Sequence, residues 1–222
     1  NYVGLFARVS ERGVVKNVTV TKSYFCGYYH VAGIVGLNEG TVTDCVNRAM
    51  MDCEGYSGGI VGNNQGNISN CLNYGTIHGS GNQGGIVGCN RGTVEFCGNE
   101  GSISTGWMHA GGIVGDNLSD ATVNFCINNG AVNATGTMSG GICGQNKGKI
   151  TNCGNNGTVS SNSSRVGGIA GYVTTAVNFD TCVNKGAIST AKTVIPTDGK
   201  DEVITDLKTI CFDFIRLGEH NQ

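Results

Sequence analysis

One sequence pattern recurs every 26 to 29 residues along most of this chain. It has the form G-I-V-G-x-N-x-G-x-(V/I)-x-x-C-x-N-x-G-x-(I/V), and a clear copy runs from Gly59 to Ile77. Further copies start at Gly33, Gly85, Gly112, Gly141 and Gly168, and a divergent copy starts at Gly4. A fixed period in this range is typical of solenoids, in which no unit buries its apolar face alone. The sequence therefore predicts seven stacked units over residues 4–190.

Within one unit the repeated residues keep a period of two, which is the pattern of a strand and not of a helix. Asn-x-Gly occurs twice per unit, as at Asn64 and Asn73. Asn bonds its own backbone and Gly accepts a positive φ, so both are expected at bends. We therefore predict three short strands per unit: Gly-Gly-Ile-Val-Gly, Ile68 to Cys71, and the segment from Gly75 through Ile77. Parallel stacking of such units makes an all-β fold, a parallel β-helix (β-solenoid) of about seven coils.

Equivalent side chains of stacked units are expected to form ladders inside the solenoid. One aliphatic ladder comprises Leu5, Ile34, Ile60, Ile86, Ile113, Ile142 and Ile169, and a second comprises Val15, Val42, Ile68, Val94, Val123, Ile150 and Val177. Two asparagine ladders comprise Asn38, Asn64, Asn90, Asn117 and Asn146, and Asn47, Asn73, Asn99, Asn128, Asn155 and Asn184. Buried amides must be hydrogen-bonded, and stacked asparagines bond from coil to coil. We therefore predict a structural role for them and not a ligand-binding one.

Both ends of the array depart from the pattern, as expected for the terminal units of a solenoid. The residues that replace a turn or ladder residue there are Val9, Val18, Val173 and Thr175. A change of composition divides the chain into repeats at 1–191 and a C-terminal cap at 192–222. An amphipathic capping helix is predicted because helical spacing is kept by Val203, Leu207, Ile210, Phe214 and Leu217. A strand over 209–215 is the alternative.

Eleven cysteines raise the questions of disulfide bonds and of zinc. Six of them hold one position of the repeat: Cys45, Cys71, Cys97, Cys126, Cys153 and Cys182. Stacked residues about 4.8 Å apart have parallel Cβ vectors, which fit the dihedral angle of a disulfide badly. No C-x-x-C pair, a typical zinc spacing, occurs. We predict reduced thiols that act as small buried hydrophobic groups. Cys26 and Cys53, which align with each other off this ladder, are the expected exception.

Charge and hydropathy exclude several classes of partner. The net charge of -2 and the pI near 6.1 do not indicate a nucleic-acid-binding protein. No apolar run approaches the roughly 18 residues of a membrane-spanning helix, and no signal peptide is present. We expect a mature protein or a piece excised from a larger one.

The Gly-Gly-Ile-Val-Gly blocks resemble the GLUG motif, which is named for a Gly-Leu-(Ile/Val)-Gly core like Gly4-Leu5-Phe6-Ala7. GLUG repeats occur in large bacterial surface and secreted proteins, including immunoglobulin A-cleaving zinc metalloproteases and adhesin-like proteins. The resemblance implies an extracellular or bacterial cell-surface protein. It brings no catalysis to this segment, because those proteases use H-E-x-x-H. No such motif surrounds His30, His78, His109 and His220.

Some β-helices are glycoside hydrolases or polysaccharide lyases, whose sites need carboxylates about 5 to 9 Å apart. Asp44 and Glu95 are expected to point outward, but two coils apart and on different tracks. Four acidic residues stand at the start of the predicted helix, where the helix dipole favours negative charge: Asp198, Asp201, Glu202 and Asp206. Neither G-x-S-x-G nor a phosphate loop occurs. We predict no catalytic residue, no metal site and no cofactor.

The irregular connections between coils are the candidate binding surface. Being equivalent, they are expected to line up along one edge, and insertions on one face of a solenoid often mark its binding face. We predict a site at Tyr28, Tyr56, Trp107 and His109, with Trp107, Tyr56 and His109 exposed and contiguous, as in aromatic platforms for sugars or proteins. The alternative is that these rings only cover the edge of the core.

The sequence favours a non-catalytic repeat module of a secreted or surface-anchored bacterial protein. It would act as a stalk or as an adhesive surface for a host protein, a matrix protein or a glycan, and its oligomeric state is left open. The alternatives are the repeat region of a secreted metalloprotease like the immunoglobulin A proteases and a carbohydrate-active β-helix enzyme.

Overall fold

The computed structural model describes residues 1–174 and 179–190 and contains strands but no helix in these ranges. Five parallel sheets of seven strands each run along the molecule. Each turn of the chain contributes one strand to every sheet, so the molecule has seven coils of five strands. The predicted all-β parallel solenoid of about seven coils is confirmed. The predicted C-terminal cap at 192–222 lies outside the described residues.

The strands are numbered in chain order, five to a coil. Sheet 1 contains β1 (Tyr2–Val3), β6 (His30–Ala32), β11 (Tyr56–Gly58), β16 (Gln83–Gly84), β21 (His109–Gly111), β26 (Met138–Gly140) and β31 (Val166–Gly167). Sheet 2 contains β2 (Phe6–Val9), β7 (Val35–Asn38), β12 (Val61–Asn64), β17 (Val87–Asn90), β22 (Val114–Asn117), β27 (Cys143–Asn146) and β32 (Ala170–Val173). Sheet 3 contains β3 (Val14–Lys16), β8 (Thr41–Thr43), β13 (Asn67–Ser69), β18 (Thr93–Glu95), β23 (Thr122–Asn124), β28 (Lys149–Thr151) and β33 (Phe179–Asp180).

The two remaining sheets complete each coil. Sheet 4 contains β4 (Thr19–Val20), β9 (Val46–Asn47), β14 (Leu72–Asn73), β19 (Gly98–Asn99), β24 (Ile127–Asn128), β29 (Gly154–Asn155) and β34 (Val183–Asn184). Sheet 5 contains β5 (Tyr24–Gly27), β10 (Met50–Cys53), β15 (Ile77–Gly79), β20 (Ile103–Thr105), β25 (Val132–Ala134), β30 (Val159–Ser161) and β35 (Ile188–Thr190).

The prediction of three strands per coil is wrong, because the coil bends more often than the repeat suggests. Gly59 and Ile60 form a bend between β11 and β12, so Ile60 and Val61 are both buried and the alternation is broken there. The predicted strand from Ile68 to Cys71 ends at Ser69, because Asn70 adopts a left-handed conformation with φ of 53°. Sheets 1 and 4 were missed because strands of two or three residues show no period.

The interior is divided into two cores. The larger core is filled by apolar side chains of sheets 2, 3 and 4 and the turns between them. A smaller core between sheets 1 and 5 consists of two clusters, which include Val31, Met51 and Ile77, and Ile103, Val132 and Val159. Sheets 1 and 2 pack closely, because glycine occupies the contact: a Cβ on Gly88 would lie 2.5 Å from the backbone nitrogen of Ser57. Sheets 5 and 1 therefore form a second lobe outside a roughly triangular main coil.

The aliphatic ladders are confirmed except at the ends. The fully buried members of the first are Ile34, Ile60, Ile86, Ile113 and Ile142. Ile169 is partly buried, whereas Leu5 is 53% exposed because the first coil is covered on one side only. In the second ladder, Ile150 pairs with Phe179. Val177, the predicted member, lies outside the described residues. In the seventh coil the segment between sheet 2 and the ladder cysteine is two residues longer than in the sixth, so the ladder position shifts to Phe179.

Both asparagine ladders are confirmed as continuous chains of side-chain hydrogen bonds. Each amide nitrogen donates to the Oδ1 of the next coil over 2.7–2.9 Å, from Asn38 to Asn146 and from Asn47 to Asn184. Asn73 also binds the backbone of Gly75, accepting from its N–H at 3.1 Å and donating to its carbonyl at 2.9 Å. The same side chain therefore shapes the bend and joins the coils.

The glycines of Asn-x-Gly serve a different purpose from the one predicted. None of the glycines among the described residues has φ in the left-handed region. A Cβ on Gly66 would instead collide with the carbonyl oxygen of Gly40 in the coil below. Glycine is required at these bends because adjacent coils stack at the distance of paired strands, where no side chain fits.

The repeated cysteines lie in the core as predicted, with Cys182 only partly buried. Their thiols donate to the backbone carbonyl two residues earlier, as in Cys45 to Thr43 at 3.1 Å. The predicted alignment of Cys26 with Cys53 is wrong. Cys26 pairs with Asp52 and is exposed, whereas Cys53 pairs with Gly27 and is buried. A shift of one residue reverses the face of a strand, so these two thiols lie on opposite faces of sheet 5.

The replaced residues at the ends occupy the predicted positions. Val9 pairs with Asn38 at the first coil, and Val173 pairs with Asn146 at the last. The first asparagine ladder therefore runs from Asn38 to Asn146, because neither valine carries an amide that could continue it. Thr175 lies outside the described residues.

Candidate functional site

The connections between sheet 5 and sheet 1 form one continuous corner, as predicted. Backbone hydrogen bonds join each connection to the next, including Glu54 N–H to the Gly27 carbonyl at 3.1 Å and Gly106 N–H to the Gly79 carbonyl at 2.9 Å. The corner therefore runs parallel to the solenoid axis. Any side chain that it presents repeats at about the strand spacing of 4.8 Å.

The structure separates the four predicted site residues. Trp107 is 76% exposed and Tyr28 is 60% exposed, both on the corner. They stand three coils apart, roughly 14 Å at the strand spacing, and the corners of the two coils between them carry no aromatic residue, only Glu54-Gly55 and Ser80-Gly81. The predicted aromatic stripe is therefore interrupted.

His109 and Tyr56 belong to sheet 1 and not to the corner. His109 is 8% exposed, so the prediction that it is exposed beside Trp107 is wrong. It packs on Gly144 of sheet 2, where an added Cβ would lie 2.8 Å from the His109 Cβ. Tyr56 is half-buried and stacks on His30 with ring centroids 5.3 Å apart. Both residues therefore fit the alternative prediction, in which these rings only cover the edge of the core.

A groove of about 830 Å³ crosses the outer face of sheet 5 from coil 2 to coil 7, and sequence reasoning missed it. Its floor is a row of outward residues that pair in register, one per coil: Asp52, His78, Ser104, Asn133, Ser160 and Ser189. The corner forms its rim through residues such as Ser80, Thr105 and Gly106. Trp107 follows Gly106 directly. The signal was present in the sequence, since a polar residue follows the inward aliphatic residue of each of these strands.

Most of the side chains that line the groove are polar, and their charge is concentrated at one end. Among the described residues that line it, Asp52, Glu54 and His78 are the only charged or titratable acid–base side chains apart from the thiol of Cys53, and none is Lys or Arg. Asp52 Oδ1 lies 3.1 Å from His78 Nδ1. Further along, Ser160 Oγ donates to Asn133 Oδ1 at 2.7 Å. The floor therefore changes from an acidic end at coil 2 to uncharged hydroxyl and amide groups beyond coil 3.

The groove contains the residue types of a hydrolytic triad without its geometry. Asp52, His78 and Ser104 follow one another in register, but the ring of His78 bonds Asp52 and no hydrogen bond joins it to Ser104. The side chains of His78 and Asp52 are 66% and 52% exposed, so water solvates the pair. A nucleophile is activated by a base within hydrogen-bond reach, usually in a site from which water is excluded.

Asp44 and Glu95 form no pair of the glycosidase kind. Glu95 pairs with Ser69, which pairs with Thr43, so Glu95 and Asp44 are two coils apart on adjacent tracks, as predicted. Within residues 1–174 and 179–190, no group of three or more His, Cys, Asp or Glu side chains is placed to hold a metal ion.

Comparison of the chain with protein-family models, with curated proteins and with solved structures finds no match. The part of the chain that the structure describes has no helix long and apolar enough to cross a membrane. The candidate binding site is thus the groove on sheet 5, with Trp107 beside its rim.

Proposed function

We propose that this chain is a non-catalytic repeat module of a secreted or surface-anchored bacterial protein of the GLUG kind. It acts as a stiff stalk that also presents an adhesive surface. The observation that supports this proposal most is the groove on sheet 5, which crosses six consecutive coils beside the exposed Trp107.

The geometry of the groove favours an extended ligand. Its floor residues lie on six adjacent strands, so the row from Asp52 to Ser189 is about 24 Å long at the strand spacing. Sites for compact small molecules are usually concave and mostly apolar, whereas this groove is open and lined mainly by hydroxyl and amide groups. Solenoids typically use such extended surfaces to bind elongated partners.

The interior supports the role as a stalk. Seven coils form a rod of roughly 29 Å at the strand spacing, and two chains of amide hydrogen bonds run through most of its length. Buried and satisfied polar networks make a structure rigid. The exposed Asp52–His78 pair and the separated carboxylates favour binding over catalysis.

Replacement of Trp107 tests this proposal. We expect Trp107→Ala to abolish binding to the glycan or host protein found by array screening of the purified chain. Its melting temperature should change by no more than about 2 °C, because an exposed ring contributes little to stability and 1 kcal/mol corresponds to about 2–4 °C at this size. Tyr74→Ala is the matched control, since Tyr74 is an exposed aromatic residue on another face.

The opposite outcome is equally clear. If Trp107→Ala lowers the melting temperature by several degrees and neither screen finds a ligand, the ring is a packing residue. The module is then a passive spacer.

A further inference from the structure

We propose that the ligand of the sheet 5 groove is a linear polysaccharide of uncharged sugars that lies parallel to the solenoid axis. This inference rests on the proposed function and narrows it to one chemical class. It combines the chemistry of the lining groups, the distribution of charge, and the position of Trp107.

The lining groups match the hydroxyl groups of sugars. Beyond coil 3 the floor residues are Ser104, Asn133, Ser160 and Ser189. Serine hydroxyls and asparagine amides both donate and accept hydrogen bonds, as a sugar hydroxyl does. Because one Ser or Asn recurs at each coil beyond coil 3, that part of the floor offers both hydrogen-bond donors and acceptors at every step.

A protein partner fits this groove less well. Each strand of sheet 5 from coil 2 to coil 6 is paired on both sides, so no edge is open there to an added peptide strand. In the part of the lining that the structure describes, Cys53 and Ala134 are the only apolar side chains, and both are small. Protein interfaces are anchored by large side chains that fill pockets, and this open floor has none.

The charges select against a polyanion. Asp52 and Glu54 line the coil 2 end, and within residues 1–174 and 179–190 no lining side chain carries a permanent positive charge. A sulfated or uronic-acid polymer lying across six coils would meet these carboxylates without compensation, and juxtaposed like charges oppose association. An uncharged chain meets no such penalty.

Trp107 supplies the apolar contact that a sugar chain requires. It is the only tryptophan of the chain, it is 76% exposed, and it adjoins Gly106 of the rim. A pyranose has an apolar face of C–H groups and a rim of hydroxyl groups. An aromatic ring packs against the apolar face while neighbouring polar groups bond the hydroxyls.

The test measures binding of neutral and anionic polymers to the purified chain by isothermal titration calorimetry. Cello-oligosaccharides, N-acetylated chito-oligosaccharides and dextran are the neutral probes, and polygalacturonate and dextran sulfate are the anionic ones. We expect binding of at least one neutral probe and none of the anionic probes. Asn133→Val should weaken that binding about tenfold, the equivalent of one or two hydrogen bonds.

Matched variants separate the groove from the rest of the surface. Asn67→Val is the control, since Asn67 is an exposed strand asparagine on sheet 3, and it should leave affinity within about twofold. Far-ultraviolet circular dichroism verifies that each variant folds.

Three outcomes would overturn the inference: tighter binding of an anionic probe, equal losses from Asn133→Val and Asn67→Val, or no binding of any neutral probe. The proposed adhesive function survives these outcomes if a protein or another glycan still binds in a Trp107-dependent manner. It fails separately if no ligand of any class binds.

Discussion

Among single residues, Asp116 carries a buried carboxyl group that the fold stabilises poorly. It lies in β22 near His109 and occupies the position that Asn63, Cys89 and Gln145 hold in neighbouring coils. Its Oδ1 has no hydrogen-bond partner in the structure. Burial raises the pKa of Asp116, and the nearby cations and His109 only partly oppose this rise. Ionisation of this carboxyl therefore destabilises the folded chain.

Asp116→Asn is expected to stabilise the protein at pH 7 by about 1–2 kcal/mol, since it removes a buried charge while keeping the shape. The pKa of Asp116 is higher in the folded chain than in the unfolded chain, where it is near 4. The protonated carboxyl therefore does not destabilise the fold below pH 4, and ionisation destabilises it as the pH rises through the native pKa. The advantage of the variant should therefore fade as the pH approaches 4. Urea unfolding across this range measures it.

Asp44→Asn is the control for this prediction, because Asp44 is an exposed carboxylate and Asn70 already occupies the same position one coil later. Its stability should differ little from that of the parent at any pH. Equal free energies of unfolding for Asp116→Asn and the parent protein at pH 7 would contradict the account of the buried charge.

The thiol of Cys97 acts as a packing group. Burial raises the pKa of Cys97 and of its neighbour Cys126, so both remain protonated. Cys97→Ser is expected to destabilise the fold by about 1–3 kcal/mol, because a hydroxyl is more costly to bury than a thiol. Cys97→Ala should cost less than the roughly 2–5 kcal/mol lost with a disulfide. Non-reducing mass spectrometry that found bridges among Cys45, Cys71, Cys97 and Cys126 would refute the thiol ladder.

Among the elements of the fold, the bends between strands depend on glycine for space. A Cβ on Gly75 would collide with the carbonyl oxygen of Ala49 in the coil below, whereas a Cβ on Gly154 meets nothing within 4 Å. Gly75→Ala is therefore expected to separate two coils and to lower the melting temperature by several degrees.

Gly154→Ala is the matched control for Gly75→Ala, and it should change stability little or raise it slightly. Differential scanning calorimetry of both variants tests the difference. Equal melting temperatures for the two would show that coil spacing does not depend on glycine at the bend.

The elements that sequence predicted correctly are those with one clear residue type per coil. The Ile60 and Asn73 ladders recur with nearly invariant chemistry, so their stacking follows from the period alone. Strands of two residues such as Leu72–Asn73 leave no alternation to detect. The burial of His109 depends on how sheet 1 packs against sheet 2, and no local pattern encodes that contact. The polar row of the groove floor is visible in the sequence, but the groove itself was missed because its walls come from two elements whose relative position only the folded coil determines.

At the scale of the whole molecule, the solenoid places equivalent residues of the sequence repeat side by side, so that the same kind of side chain recurs at regular steps along the surface. Coils 2 to 6 each place one floor residue and one rim connection side by side, and coil 7 adds the floor residue Ser189. A single Ser or Asn contributes one or two hydrogen bonds, but a chain that crosses several coils collects them in series. Affinity for a linear ligand is therefore expected to grow with ligand length, as far as the row from Asp52 to Ser189 extends.

The most direct measurement is the binding of neutral oligosaccharides of increasing length, followed by nuclear magnetic resonance of the backbone amides. The account predicts that affinity rises with each added sugar until the ligand spans the roughly 24 Å of the row. The amides that shift should belong to sheet 5 and its corner with sheet 1. Affinity that is independent of length, or shifts confined to the outer face of sheet 4, would contradict it.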